Sequence, residues 1–193
     1  MKQRIAEILL NYSKRKITSG NLKSSAVLVP LFCREGQYYI LFTQRSNEVE
    51  FHKGEVCFPG GTFQPGDISL LQTALRESEE EIGLKSEDVE ILGELDDAIT
   101  VTSGYVISPY VASIPHPYLF KVNPGEIKQI ISVPLSAMME EVSFRRGEDM
   151  QTIEGETIPV YYYEYKGHII WGATARILKQ FIDLLRDESG ALC

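Results

Sequence analysis

The residues best placed to do chemistry are Glu77, Glu80 and Glu81, which follow Arg76 closely, and the Pro59-Gly60-Gly61 turn upstream of them. The carboxylates belong to a predicted helix over residues 69–83. Ser69 can cap its start, Gln72 stands three residues later as the capping-box partner, and Gly83 stops it. At 100° per residue Leu71, Leu75, Ser78 and Ile82 share one stripe and the three glutamates share another. Like charges at this spacing cost about 0.2–0.5 kcal/mol per pair, so they need dilution by solvent or a bound cation. For the helix alone, a solvated acidic face suffices, and Pro-Gly-Gly alone reads as an ordinary turn. Together they say more. Gly60 and Gly61 allow positive φ and carry no Cβ to hold backbone oxygens away from a ligand. Backbone oxygens from Gly60 or Gly61 beside a carboxylate face form a hard-oxygen set suited to Mg²⁺ or Mn²⁺. A diphosphate bridged to such an ion is polarised for attack by water, which one carboxylate can orient or deprotonate.

The elements that must position this pair alternate between strand and helix. An amphipathic helix over about residues 3–13, with Ile5, Ile8, Leu9 and Tyr12 on one side, precedes the strand 26–33. A turn at Glu35-Gly36-Gln37 then leads into a second strand over 38–43, so the two are predicted to form a hairpin. Further strands are expected at 89–95, 106–114, 157–165 and 168–171. A helix is expected at 173–187, with Ile177, Leu178, Phe181, Leu184 and Leu185 on its apolar face. Residues 115–124, with Pro115, Pro117 and Pro124, read as a long loop. Interleaved strands and helices predict a layered α/β or α+β arrangement, and 193 residues without a repeat or linker predict a single domain, 1–193.

Composition narrows the function. The formal net charge of −8 is opposite to that of a nucleic-acid binder, so small phosphorylated partners are expected and nucleic acid is not. Bound cations and a few Lys or Arg side chains would have to reverse the field locally. Cys33, Cys57 and Cys193 form no C-x-x-C pair, which predicts reduced thiols, and Cys57 beside Phe58 reads as a packed one. No segment has the roughly 20 apolar residues of a membrane span or the pattern of a signal peptide, so a soluble cytoplasmic protein is expected. The sequence sets no oligomeric state; a homodimer is compatible with it.

The segment Arg76-Glu77, Glu80-Glu81, Gly83 and Leu84 closely resembles the signature of the Nudix hydrolases. It departs at Asp67, which replaces the first Glu, at the eight residues rather than seven that separate it from Arg76, and at Ser78 in an apolar slot. A narrower resemblance, to the coenzyme A diphosphatase branch, has the inserted residue too. It runs through Leu41-Phe42-Thr43-Gln44-Arg45-Ser46, His52, Gly54-Glu55-Val56, Phe58-Pro59-Gly60-Gly61 and Thr73 to Glu77. It continues in Ser103-Gly104-Tyr105, Pro109, Val133-Pro134-Leu135 and Ile170 to Ala175, with departures at Glu50 and Gln64. The resemblance implies an α/β/α sandwich with a mixed β-sheet. It implies Glu77 and Glu81 as principal ligands of Mg²⁺ or Mn²⁺, Glu80 as a third ligand or water-orienting group, and a Gly60 or Gly61 carbonyl completing the shell. Arg76 would hold the glutamates in place. Glu77 and Glu80 are the candidates for general base, with Glu126 left open.

The implied reaction is hydrolysis of a nucleoside diphosphate derivative, with coenzyme A first and NADH, ADP-ribose or a dinucleotide next. A non-catalytic nucleotide-binding domain is the remaining alternative, and the intact glutamates argue against it. Arg45, His52 and Lys53 are the candidate substrate contacts, although a solvated charge suits Arg45 and Lys53 and a hydrogen-bonded structural role suits His52. Glu50 would oppose a nearby phosphate. Trp171 and the run Tyr161 to Tyr163 could stack on adenine or pack in the core. His116 and His168 suggest nothing specific.

Overall fold

The computed structural model describes residues 1–18, 21–48, 52–100, 103–153 and 156–190; Glu50 and Cys193 lie outside them. The chain runs α1 (Lys2–Asn11), β1 (Lys23–Arg34), β2 (Gln37–Arg45), β3 (Val56–Cys57), β4 (Gly60–Thr62), α2 (Leu70–Ile82), β5 (Glu90–Glu94), β6 (Ala98–Ile99), β7 (Tyr105–Ser113), β8 (Ile127–Pro134), α3 (Leu135–Met139), β9 (Phe144–Ile153), β10 (Glu156–Tyr165), β11 (His168–Trp171) and α4 (Gly172–Gly190). The β1–β2 hairpin forms with Arg34 opposite Gln37 around the expected turn. α1 stops at Asn11, and Tyr12 is extended, donating its hydroxyl to Asp96 Oδ1 at 2.7 Å.

An eight-stranded sheet has the central path β3-β2-β1-β7-β5, with β4 on β1, β6 on β7 and β8 on β2. It is mixed, because β1 and β7 run parallel while the other pairs are antiparallel. A second, antiparallel sheet has the order β11-β10-β9. The large sheet is covered on both faces, which is why β1 reads as a nearly continuous apolar run rather than an alternating one. Ala26, Leu28 and Leu41 pack toward α2 through Ala74 and Ile82. Val29, Leu31, Ile40 and Phe42 pack toward α1 and α4 through Ile5, Leu9, Leu178 and Phe181. The architecture is the expected α/β/α sandwich. Among the described residues no helix is long and apolar enough to cross a membrane.

The caps of α2 follow the sequence closely. Ser69 Oγ accepts the Gln72 amide at 3.1 Å, and Gly83 adopts φ 69°, giving its amide to the Glu79 carbonyl at 2.9 Å. The capping box is shifted by one residue, because Gln72 Oε1 accepts the amide of Ile68 rather than that of Ser69. The buried face of α2 also differs from the predicted stripe. Thr73, Ala74, Ser78, Glu81 and Ile82 are buried while Leu71 and Leu75 are only half-buried, so the helix is rotated to turn Glu81 toward the sheet. Ser78 fits the apolar slot because its hydroxyl bonds the Ala74 carbonyl at 2.7 Å and exposes no unpaired group to the core.

Candidate active site

β4 is where loop and helix meet. It pairs antiparallel with β1, Gly61 opposite Ala26 and Gly60 opposite Val27. The two glycines are required for different reasons. A Cβ at Gly60 would overlap the Ala26 carbonyl and Val27, and Gly60 also holds φ at 150°; a Cβ at Gly61 would overlap the carboxylate of Glu77. The Gly60 amide donates to Glu81 Oε2 at 3.2 Å. The turn therefore presses its backbone against two carboxylates one helical turn apart.

Arg76 organises the cluster with all its donor nitrogens. Its Nε and Nη2 grip Asp67 Oδ1 and Oδ2 at 2.9 and 3.1 Å, and Nη2 also donates to the Thr62 carbonyl at 3.2 Å. Its Nη1 donates to Glu77 Oε1 at 2.8 Å and Glu80 Oε2 at 3.1 Å. Asp67 is itself fixed by the Thr73 hydroxyl and the Gln64 amide, both at 2.9 Å. The Arg76 guanidinium holds the Asp67 carboxyl well below the usual carboxylate range, and Asp67 in turn raises Arg76. The departure at Asp67 thus has a structural use: a short carboxylate, set one residue further back, receives the planar fork of the arginine.

The three glutamates of the motif do not behave alike. Glu80 is half-exposed, with 52% of its side chain accessible, and is tied to Arg76. Glu77 is more buried, and burial raises its pKa against the lowering pull of Arg76. Glu81 is 1% exposed. Burial pushes its carboxyl up to about 8; the Gly60 amide and Arg45 act the other way, and Glu77 and Glu126 add to the rise. A solvated acidic face is thereby excluded for this helix. Among the described residues no three His, Cys, Asp or Glu side chains already converge as a ligand cage. What the site offers is instead a pair of half-compensated carboxylates, Glu77 and Glu81, beside a glycine backbone. That suits a hard ion such as Mg²⁺, which takes one or two carboxylates and keeps several waters or phosphate oxygens.

The flanking candidates divide. Arg45 at the end of β2 faces Glu81, Nη1 to Oε1 at 3.7 Å, and its buried Nε has no hydrogen-bond partner among the described residues. A freely solvated charge, the expectation for Arg45, is therefore incorrect: β2 carries the guanidinium inward to the most buried carboxylate. His52 bonds through Nδ1 to Glu55 Oε2 at 3.0 Å, and Lys53 is exposed. Lys53 lines an open groove of about 490 Å³ with Gln44, Val56, Tyr162, His168 and Trp171 among others. Gln44 and Val56 alternate along the paired strands with Thr43 and Cys57, so this groove opens on the opposite face of the β2–β3 edge from the carboxylates. Tyr163 packs in the core, whereas Trp171 is partly exposed. His116 stacks on Phe32 with ring centroids 5.0 Å apart. Cys57 lies beside the Thr43 hydroxyl at 3.4 Å, and burial pushes its thiol up to about 11, as a packed thiol requires. Sequence reasoning missed the Arg45–Glu81 approach and the Asp67 lock, since neither partner pair shares an element.

The site is thus a glycine turn and a glutamate helix locked by arginine, mounted on one face of a mixed-sheet sandwich. Residues 22–151 match the NUDIX domain family. The protein named "Uncharacterized Nudix hydrolase NudL" of Photorhabdus laumondii is 37% identical over 165 residues, 86% of each chain. The protein of that name in Yersinia pestis is 36% identical over 162 residues, covering 83% of this chain and 79% of its own. Among solved structures, a MutT/nudix family protein from Enterococcus faecalis aligns over 88% of this chain and 64% of its own, with a TM-score of 0.57 and 17% identity. A C. elegans Ap4A hydrolase aligns over 89% and 99%, with a TM-score of 0.52 and 16% identity. This chain belongs to the Nudix hydrolase family. It is a pyrophosphohydrolase of nucleoside diphosphate derivatives.

Two outcomes follow from the geometry. Arg76→Lys should keep the fold but lower kcat on the order of ten- to hundredfold, because a lysine cannot hold Asp67, Glu77 and Glu80 together; full activity of that variant would reduce Arg76 to a charge balance. The second concerns pH without divalent ions. The folded-state pKa of Glu81 lies above its ordinary value of 4.5, so the folded form keeps a proton that the unfolded chain releases, and stability falls as pH rises from about 4.5 to about 8. Melting curves should therefore show Glu81→Gln gaining on the unmodified protein through that window. A constant difference across it would exclude the buried, proton-retaining carboxylate.

Proposed function

We propose that this Nudix hydrolase splits coenzyme A at its diphosphate, giving 4′-phosphopantetheine and adenosine 3′,5′-bisphosphate. Glu77 and Glu81 hold Mg²⁺ or Mn²⁺, with Glu80 a third ligand or water-orienting group and a Gly60 or Gly61 carbonyl completing the donor set. A divalent ion bound there supplies Lewis acidity to the diphosphate oxygens. The protein's own groups do the rest. Arg76 fixes the orientation of Glu77 and Glu80, the Gly60 amide fixes Glu81, and a carboxylate drawn from Glu77, Glu80 or Glu126 takes the proton of the attacking water. One P–O bond of the diphosphate breaks and one forms to that water.

One observation supports the coenzyme A reading above all. The residues of the longer resemblance that precede the helix include Arg45, Gly60 and Gly61, whose contacts frame Glu77 and Glu81. The carboxylates cannot choose a substrate, so selectivity falls to groups such as Arg45, His52 and Lys53. Arg45, whose Nη1 lies 3.7 Å from Glu81 Oε1 and whose buried Nε has no hydrogen-bond partner among the described residues, is suited to a diphosphate held at that carboxylate. Lys53, in the groove across the strand edge, is suited to a more distant phosphate. NADH, ADP-ribose or a dinucleotide is the second reading, with the same carboxylates and a different occupant of the flanking surface.

The test compares kcat/KM for coenzyme A, its 3′-dephosphorylated form, NADH and ADP-ribose with Mg²⁺ at one salt concentration, with product masses read directly. Coenzyme A is expected to lead, and Glu81→Gln to abolish turnover of every compound while leaving the fold intact. A preference of about tenfold or more for NADH or ADP-ribose, roughly 1.4 kcal/mol in transition-state binding, would overturn the substrate and spare the reaction.

A further inference from the structure

The last turn of α2 is tied to a loop that has no part in the motif. The carbonyls of Glu81 and Ile82, left without partners inside the helix, accept the amides of Asn123 at 2.8 Å and Lys121 at 2.9 Å. Asn123 then folds the next residues around itself. Its carbonyl accepts the amides of Glu126 at 3.1 Å and Ile127 at 2.8 Å, and its Oδ1 accepts that of Gly125 at 3.1 Å. Its Nδ2 donates to Glu126 Oε1 at 2.9 Å. On the other side the Glu126 carbonyl accepts the Ser46 amide at 2.7 Å, next to Arg45. Glu126 is thus clamped between the end of α2 and the end of β2, near enough that its charge acts on both Glu77 and Glu81. Unlike Glu77 and Glu80, it has no arginine in its hydrogen-bond set among the described residues.

We infer that Asn123 is a positioning residue, which keys Glu126 to the helix turn that carries Glu81 and aims this fourth carboxylate at the Glu77–Glu81 pair. The inference rests on the proposed reading of that pair as the cation site. One residue measures the distance in both directions: its main chain reads the position of Glu81, and its side-chain amide sets the carboxylate of Glu126. With Oε1 occupied by the amide, the other oxygen of Glu126 has no hydrogen-bond partner among the described residues and could accept from a water.

Two substitutions separate positioning from simple support of the loop. Asn123→Asp keeps the shape and an acceptor for the Gly125 amide but puts a like charge against Glu126; Asn123→Ser removes the donor without adding charge. Each is made alone and together with Glu126→Gln in the full-length chain. Two quantities are read: kcat and KM with Mg²⁺ on whichever of coenzyme A and ADP-ribose the unmodified protein splits faster, and the rise in melting temperature on adding Mn²⁺. Both single Asn123 variants should lower kcat about tenfold or more with KM within about threefold. Asn123→Ser should reduce the Mn²⁺-induced rise to the level of Glu126→Gln. In the Glu126→Gln background neither substitution should add more than about a twofold change, because the group through which Asn123 acts is already gone. Effects that multiply instead, or an Asn123→Asp variant with unchanged kcat, would assign Asn123 to loop structure alone and overturn the inference. An unmodified protein whose melting ignores Mn²⁺ would overturn the parent reading of the carboxylate pair, a result distinct from either.

Discussion

Two carboxylates one helical turn apart, Glu77 and Glu81, are turned toward a sheet rather than toward water, and the rest of the site answers to that constraint. Burying an ionised carboxylate is costly unless it is paired or takes a proton, and among the described residues Glu81 has only a glycine amide and a guanidinium 3.7 Å away. The glycine pair is the geometric counterpart. Only backbone without a Cβ can come this close to Glu77, and only a free amide at Gly60 can reach Glu81. What results is a helix face with an excess of negative charge and a shortage of partners, which a hard divalent ion would supply.

Arg76 illustrates how such a face is kept from collapsing. Left to itself the guanidinium would pair with Glu77 and Glu80 and neutralise the groups it is meant to present. Asp67 prevents this by taking the Nε edge of the fork, so that a single nitrogen is left to bridge the two glutamates. The Asp67 carboxylate is in turn held by Thr73 in the first turn of α2 and by the Gln64 amide in the preceding loop. The loop, the start of the helix and its middle are therefore joined through one ion pair, partly shielded from solvent.

The sequence made the frame of the fold legible because its signals are local. Ser69 and Gly83 bound α2, Glu35-Gly36 turns the first hairpin, and the apolar face of α4 appears at 177, 178, 181 and 185. Strands β3, β4 and β6 have two or three residues each and no periodicity to detect, and they form only because β2, β1 and β7 offer them an edge. β8 and β9 carry mixed polar patterns that tertiary pairing overrides. In the site, the residue types were legible but their burial was not. Glu77, Glu80 and Glu81 lie within one turn and a half of helix, yet which of them faces the sheet depends on how α2 rolls against β1 and β4. The partners Arg45, Asp67 and Asn123 were less visible still, since each acts across a gap in the sequence.

The most direct measurement is calorimetric titration of the metal-free protein with Mn²⁺ at about pH 6.5, in two buffers of different ionisation enthalpy, so that protons released on binding are counted. A buried carboxyl raised to about 8 largely keeps its proton there and would release it to the buffer as a cation binds. Roughly one proton should be released per ion bound, and the release should vanish in Glu81→Gln. Binding without proton release in the unmodified protein, or a release that Glu81→Gln leaves unchanged, would contradict the account.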